Sequence, residues 1–168
     1  FGLILVTMMI PAQLIFLPVY LMFSKANMIN TYWSLILPWA SSAFGIFLLR
    51  QRFMQVPDEI IEAAVLDNTP TWKIIFKIML PQARGTVITI ALLNFISTWN
   101  DYFWPLVMTS NDNVRTLPLG VSMLKSTLDG VHWNTVMAGN VILILPIVII
   151  YLFAQREIIK AFTYSGIK

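Results

Sequence analysis

Glu62, Ala63, Ala64, Asp67 and Asn68 sit in the densest concentration of polar chemistry in this sequence. They belong to an island over residues 57–81, PDEIIEAAVLDNTPTWKIIFKIMLP, with Asp58, Glu59, Lys73 and Lys77. Three close acids, Asp58, Glu59 and Glu62, are the raw material of metal-assisted chemistry, as in a membrane-embedded lipid-modifying enzyme. Such an enzyme would want a histidine or cysteine nucleophile system beside them. His132 is the single histidine and there is no cysteine, so a histidine metal centre or a thiolate site is not expected. Gly120…Lys125-Ser126 lacks the glycine that precedes the lysine of a P-loop. The sequence therefore predicts no catalytic residue, no metal and no cofactor. A second polar set, Asn94, Ser97, Thr98 and Asp101, is spaced i, i+3, i+4 and i+7, which a helix would gather on one face. In an apolar helix that face serves either helix packing or the lining of a translocation pathway.

The elements that must carry these residues are set by composition. The 168 residues are 58% hydrophobic and 11% charged, against roughly 25% charged in a soluble domain. The expected fold is an all-α, polytopic membrane helical bundle. A span needs about 20 predominantly apolar residues. Four stretches meet that, at about 1–23, 31–49, 86–107 and 136–154. Each charge at the centre of a membrane helix costs about 2.5–3.5 kcal/mol, so the island must lie outside the bilayer. Apolar sequence begins at Phe1 with no charged leader segment, so the chain reads as starting inside or at the edge of a span, with upstream sequence missing.

Lysine and arginine give the orientation. Arg50, Arg52, Lys73, Lys77, Arg84, Arg156, Lys160 and Lys168 share the side of the island, and Lys25, Arg115 and Lys125 lie opposite. The positive-inside rule makes the island and the C-terminus cytoplasmic. The basic residues flank apolar segments and form no stripe, which excludes nucleic acid as the partner. Trp99, Tyr102, Phe103 and Trp104 then fall at the outer interface, where amphipathic rings settle. The spans also carry breaks and small polar residues: Pro11, Gln13 and Pro18; Pro38, with Ser41, Ser42 and Gly45 on one face; Gly139, Asn140 and Pro146. The loop over 109–133 is long and polar, and reads as a connector or as a contact for an external partner.

Within the island, Pro57 suits a first helical turn and Asp58 and Glu59 suit its positive end. Asp67-Asn68-Thr69-Pro70 breaks the helix, and asparagine tolerates the left-handed conformation that closes many helices. Thr69 can cap a second helix with Pro70 at its first position. Trp72, Ile75, Phe76 and Met79 then form an apolar stripe with Lys73 and Lys77 on its flank. Physically this is either an interfacial amphipathic segment or a protein contact.

Glu62-Ala63-Ala64, Asp67 and Ile78-Met79-Leu80-Pro81 resemble the EAA loop of binding-protein-dependent ABC transporter permeases. MMIPAQLIFLPVY, NTYWSLILPW, FGIFLLRQ, WNDYFWPL, RTLPLG and MAGNVILILPI look like the carbohydrate-importer branch, of the maltose and glycerol-phosphate type. The resemblance covers essentially the whole chain. It implies a non-catalytic permease of the bacterial inner membrane. Its partners would be a cytoplasmic ABC ATPase dimer, a second permease subunit and an external solute-binding protein, with a carbohydrate as cargo and the lipid bilayer around the spans. It also implies that Glu62, Ala63, Ala64, Asp67, Asn68, Leu80 and Pro81 form the ATPase-coupling element, that Asn94, Ser97, Thr98 and Asp101 are candidates to line the pathway, and that the 109–133 loop reaches the binding protein. The family usually has glycine at the position of Asn68 and two further spans before Phe1.

Overall fold

The computed structural model describes residues 1–125 and 131–163, with side chains as far as Gln155. Ser126 and Lys168, and the side chains of Arg156 and Lys160, therefore lie outside the described residues, as does part of the 109–133 loop. Among the described residues every regular element is helical: α1 (Gly2–Thr7), α2 (Ala12–Lys25), α3 (Tyr32–Ile36), α4 (Ala43–Phe53), α5 (Asp58–Leu66), α6 (Thr71–Lys73), α7 (Leu80–Gln82), α8 (Arg84–Trp99), α9 (Phe103–Met108), α10 (Leu117–Met123) and α11 (Trp133–Thr163). Short 3₁₀ turns cover Leu37–Trp39 and Asp112–Val114, and a π-helical stretch, Ile74–Met79, joins α6 to α7.

Proline divides two of the four expected spans. Pro11 has ψ 134° and separates α1 from α2, so the 1–23 segment is two helices. Pro18 is carried inside α2. Pro38 lies in the 3₁₀ turn that ends α3, and the chain restarts at Ser42, whose Oγ accepts the Gly45 N–H at 3.1 Å. Ser41, Ser42 and Gly45 thus do not continue one helix face past Pro38, because Ser42 is an N-cap in extended conformation. The 86–107 segment is also two helices, α8 and α9, separated at Asn100–Tyr102. By contrast α11 is longer than the 136–154 segment at both ends and carries Pro146 within it. Two stretches, Tyr32–Phe53 and Trp133–Gln155, have the length and apolar composition to cross a membrane, and Thr71–Gln82 with Arg84–Trp99 form a pair bent by 79°.

Close approach is set by two glycines. A Cβ on Gly45 would stand 3.1 Å from Ile90 Cγ2, where α4 meets α8. A Cβ on Gly139 would stand 3.0 Å from Val121 Cγ2 and 3.5 Å from Leu124 Cδ1, where α10 lies on α11. The best-shielded side chains, Met108, Leu119 and Val136, cluster in sequence around the 109–133 loop, joined by buried Pro105, Thr109, Val114 and Val121. Residues 109–125 of that loop therefore form a packed cap.

Candidate functional site

The island begins at Pro57, which caps α5 with ψ 134°, followed by Asp58 and Glu59 in the first turn. Carboxylates in that turn lie at the positive end of the helix dipole, here without a hydrogen bond to the helix-start N–H groups among the described residues. At the other end the chain closes as the sequence predicts. Asn68 has φ 52°, the left-handed region. Its N–H donates to the Val65 carbonyl at 2.9 Å, and the Thr69 N–H donates to the Ala64 carbonyl at 3.0 Å. This paired closure is the Schellman motif, in which the left-handed residue is usually glycine. Asparagine fills that position here.

The seven island residues singled out from the sequence are not equivalent. Ala64 is buried against its own chain, whereas Ala63 is exposed. Close approach by an outside partner is therefore available at Ala63 and not at Ala64. Glu62 and Asp67 are exposed and, among the described residues, their carboxylates make no hydrogen bond or ion pair. Leu66 is 82% exposed, and Ile60 and Val65 are exposed beside it. Apolar side chains left exposed in this way are surface that association would bury.

The second half of the island departs from a plain helix. The helix starts at Thr71, with Pro70 as its cap residue, and no side chain caps it, so Thr69 does not serve as the N-cap. The Pro70 carbonyl instead accepts the Lys73 N–H at 2.8 Å. Over Ile74–Met79 the backbone widens to π geometry, and the Leu80 N–H reaches the Ile75 carbonyl five residues back. Pro81 supplies a reason: in an α-helix its ring would strike the carbonyl four residues back, and it has no N–H to give. The rod consequently runs through Pro81 to Gln82 instead of stopping before it. Trp72, Ile75 and Phe76 are exposed, while Ile74 is buried and Met79 and Leu80 are half-buried. The expected stripe is thus split, since Met79 turns inward across the π stretch.

The second polar set is brought together only in part. Asn94, Ser97 and Thr98 lie exposed on α8, with the Ser97 hydroxyl donating to the Asn94 carbonyl at 3.0 Å. Asp101 falls beyond the end of α8, so it does not extend that helical face. Its Oδ1 instead accepts the Trp104 N–H at 3.3 Å at the start of α9. A carboxylate three residues before a free helix-start N–H is a cap by chemistry.

Three residues position these elements through contacts that pattern alone did not foresee. Arg52 on α4 donates through Nε and Nη2 to the Gln82 carbonyl at 3.3 and 3.2 Å, and through Nη1 to Gln55 Oε1 at 2.8 Å. Asn30, with φ 61°, donates through Nδ2 to Ser110 Oγ at 2.9 Å, and its Oδ1 accepts the backbone N–H groups of Ser110 and Asn111. Trp99 donates through Nε1 to the Leu143 carbonyl at 3.0 Å, close to the backbone that Pro146 disrupts in α11. Only the asparagine carried a sequence signal, its tolerance of left-handed backbone.

Comparison with known proteins gives these elements a family. The chain is 35% identical over all 168 residues to an arabinooligosaccharides transport system permease protein of Halalkalibacterium halodurans, covering 60% of that protein. It is 34% identical over 166 residues, 98% of this chain, to an sn-glycerol-3-phosphate transport system permease protein of Yersinia enterocolitica, covering 59% of that protein. It is 32% identical over 160 residues, 95% of this chain, to a lactose transport system permease protein of Rhizobium radiobacter, covering 58% of it. The chain thus spans about three fifths of the length of these relatives. The family model described as binding-protein-dependent transport system inner membrane component matches residues 1–163, and the chain belongs to that family.

Proposed function

We propose that this chain is part of a membrane-spanning permease subunit of an ATP-driven sugar importer, and that α5 with its Asn68 turn carries ATPase motion into the spans. The observation that supports it best is that Ile60, Val65 and Leu66 are left exposed on a short helix outside the longest apolar stretches, closed by a hydrogen-bonded turn. A helix that offers apolar side chains to water and is held at a fixed angle suits a groove on another protein. In this reading Glu62 makes the charged contact and Ala63 lets the partner backbone come close. Asp67 and Asn68 fix the angle, and Leu80 and Pro81 brace the rod.

The partners are a cytoplasmic ABC ATPase dimer, a second permease subunit and an external solute-binding protein, with the 109–133 cap facing the last. The subunit itself is non-catalytic, and the island and the C-terminus are cytoplasmic. Asn94, Ser97 and Thr98 line the path for the carbohydrate. The transport roles of these relatives favour transport over the lipid-modifying enzyme.

Ala63→Trp tests the docking idea in the complete transporter reconstituted in vesicles. The bulk at the exposed alanine is expected to abolish uptake while ATP hydrolysis and membrane insertion persist. Uptake at the wild-type rate would sink it.

A further inference from the structure

We propose that Arg52 is a positioning residue that latches the second half of the island to α4, so that α4 and the rod α6–α7 move as one lever against α8. This rests on the coupling role proposed above, and concerns how the motion is passed on after the contact with the partner.

The rod ends at Gln82 and the chain then turns through 79° into α8. The last carbonyls of a helix have no partner within it. The turn is made at Ala83, which is 1% exposed and whose N–H is shared between the Met79 and Leu80 carbonyls at 3.0 and 3.1 Å. The joint is therefore packed, not a free swivel. Arg52, in the last turn of α4, places two N–H donors on the Gln82 carbonyl and a third on Gln55. A planar fork can hold one carbonyl from two nitrogens and still reach a second acceptor, and a lysine ammonium cannot reproduce that geometry. α4 also approaches α8 closely at Gly45 and Ile90, seven residues earlier on the same helix, and packs against α1 on another side. Thus α4 touches α8 at one level and grips the rod at another, the arrangement of a lever with a fulcrum. Neighbouring Arg50 has a different task, lying 4.1 Å over the Phe1 ring.

These 168 residues contain no cysteine, so spin labels can be placed within them at chosen positions, with any cysteine elsewhere in the full-length permease replaced by serine. Lys77→Cys on the rod and Leu93→Cys on α8 are both at exposed positions. In the full-length permease in lipid nanodiscs, without ATPase, the inter-label distance distribution reports the bend. Arg52→Met is expected to broaden that distribution, and Arg52→Lys, which keeps the charge and a donor, is expected to fall between. An unchanged distribution in Arg52→Met overturns the latch. In the complete transporter, Arg52→Met is expected to raise the ATP hydrolysed per substrate imported about tenfold, the cost of losing a charge-assisted hydrogen bond from the coupled state. An unchanged ratio overturns the lever role. Where Arg52→Met fails to insert, Arg52→Lys carries both measurements, and wild-type values for it there overturn the proposal. A broadened distribution alongside wild-type uptake in Ala63→Trp would keep the latch and reject the coupling site.

Discussion

The island over residues 57–81 and the cap over residues 109–133 are both polar stretches set between apolar segments, and they are built in opposite ways. The described part of the cap turns some of its apolar side chains inward, although Leu117, Met123, Val131 and Trp133 stay exposed. Val114, Leu119 and Val121 are buried, Gly139 lets α10 close on α11, and Asn30 and Tyr32 tie the cap to the start of α3. The island turns Ile60, Val65, Leu66, Trp72 and Phe76 outward and leaves the Glu62 carboxylate without an internal contact among the described residues. One region completes its own core, while the other stops at a geometry and leaves its apolar surface for something else to cover. Stability and function should therefore separate along this line.

The largest effect belongs to the cap. Leu119 is almost wholly shielded, so Leu119→Ala is expected to cost about 2–5 kcal/mol, read as a lowered unfolding midpoint of the full-length protein in detergent or bicelles. A midpoint unchanged by that truncation would break the comparison at its stronger end. At the island turn the effect is smaller. A β-branched residue in left-handed backbone is strained, so Asn68→Val should cost about 1–2 kcal/mol, whereas Asn68→Gly should be neutral or stabilising. Equal midpoints for the two variants would show that the turn does not require φ 52° in the assembled protein. Least of all should be felt at Leu66. Being 82% exposed, Leu66→Ser is expected to move stability by no more than about 0.5 kcal/mol while reducing uptake in the complete transporter. A large loss of stability with uptake intact would invert the assignment.

Much of the fold is legible in the sequence because it depends on local chemistry. Apolar composition gives a helical membrane protein, and the likeness of Glu62-Ala63-Ala64, Asp67 and Ile78-Met79-Leu80-Pro81 to the EAA loop carries the family. Proline marks the division at Pro11 and the 3₁₀ turn at Pro38, although reading each apolar run as one span hides those breaks. The Asn68 turn follows from a single residue's tolerance of positive φ. Asn27 obeys the same rule at the end of α2, with φ 54° and the Met28 N–H on the Phe23 carbonyl at 2.9 Å.

Where the reading failed, the outcome depended on contacts distant in sequence or on a helix ending early. Heptad-like spacing put Asp101 on the face of Asn94, but α8 stops at Trp99 and the carboxylate caps α9. The apolar stripe of the rod assumed 3.6 residues per turn, and the π stretch before Pro81 changed the period. Ala63 and Ala64 looked interchangeable until packing buried one of them.

By itself, then, the sequence determined the helical membrane character, the polar island and its left-handed turn, because each follows from transfer energies and backbone preferences of neighbouring residues. Only the tertiary structure decided that Arg52 holds the Gln82 carbonyl, that Asn30 anchors Ser110, and that Val114, Leu119 and Val121 pack into a core. Those depend on which carbonyls and apolar faces α4, α8 and α11 bring within reach, and no local pattern encodes that.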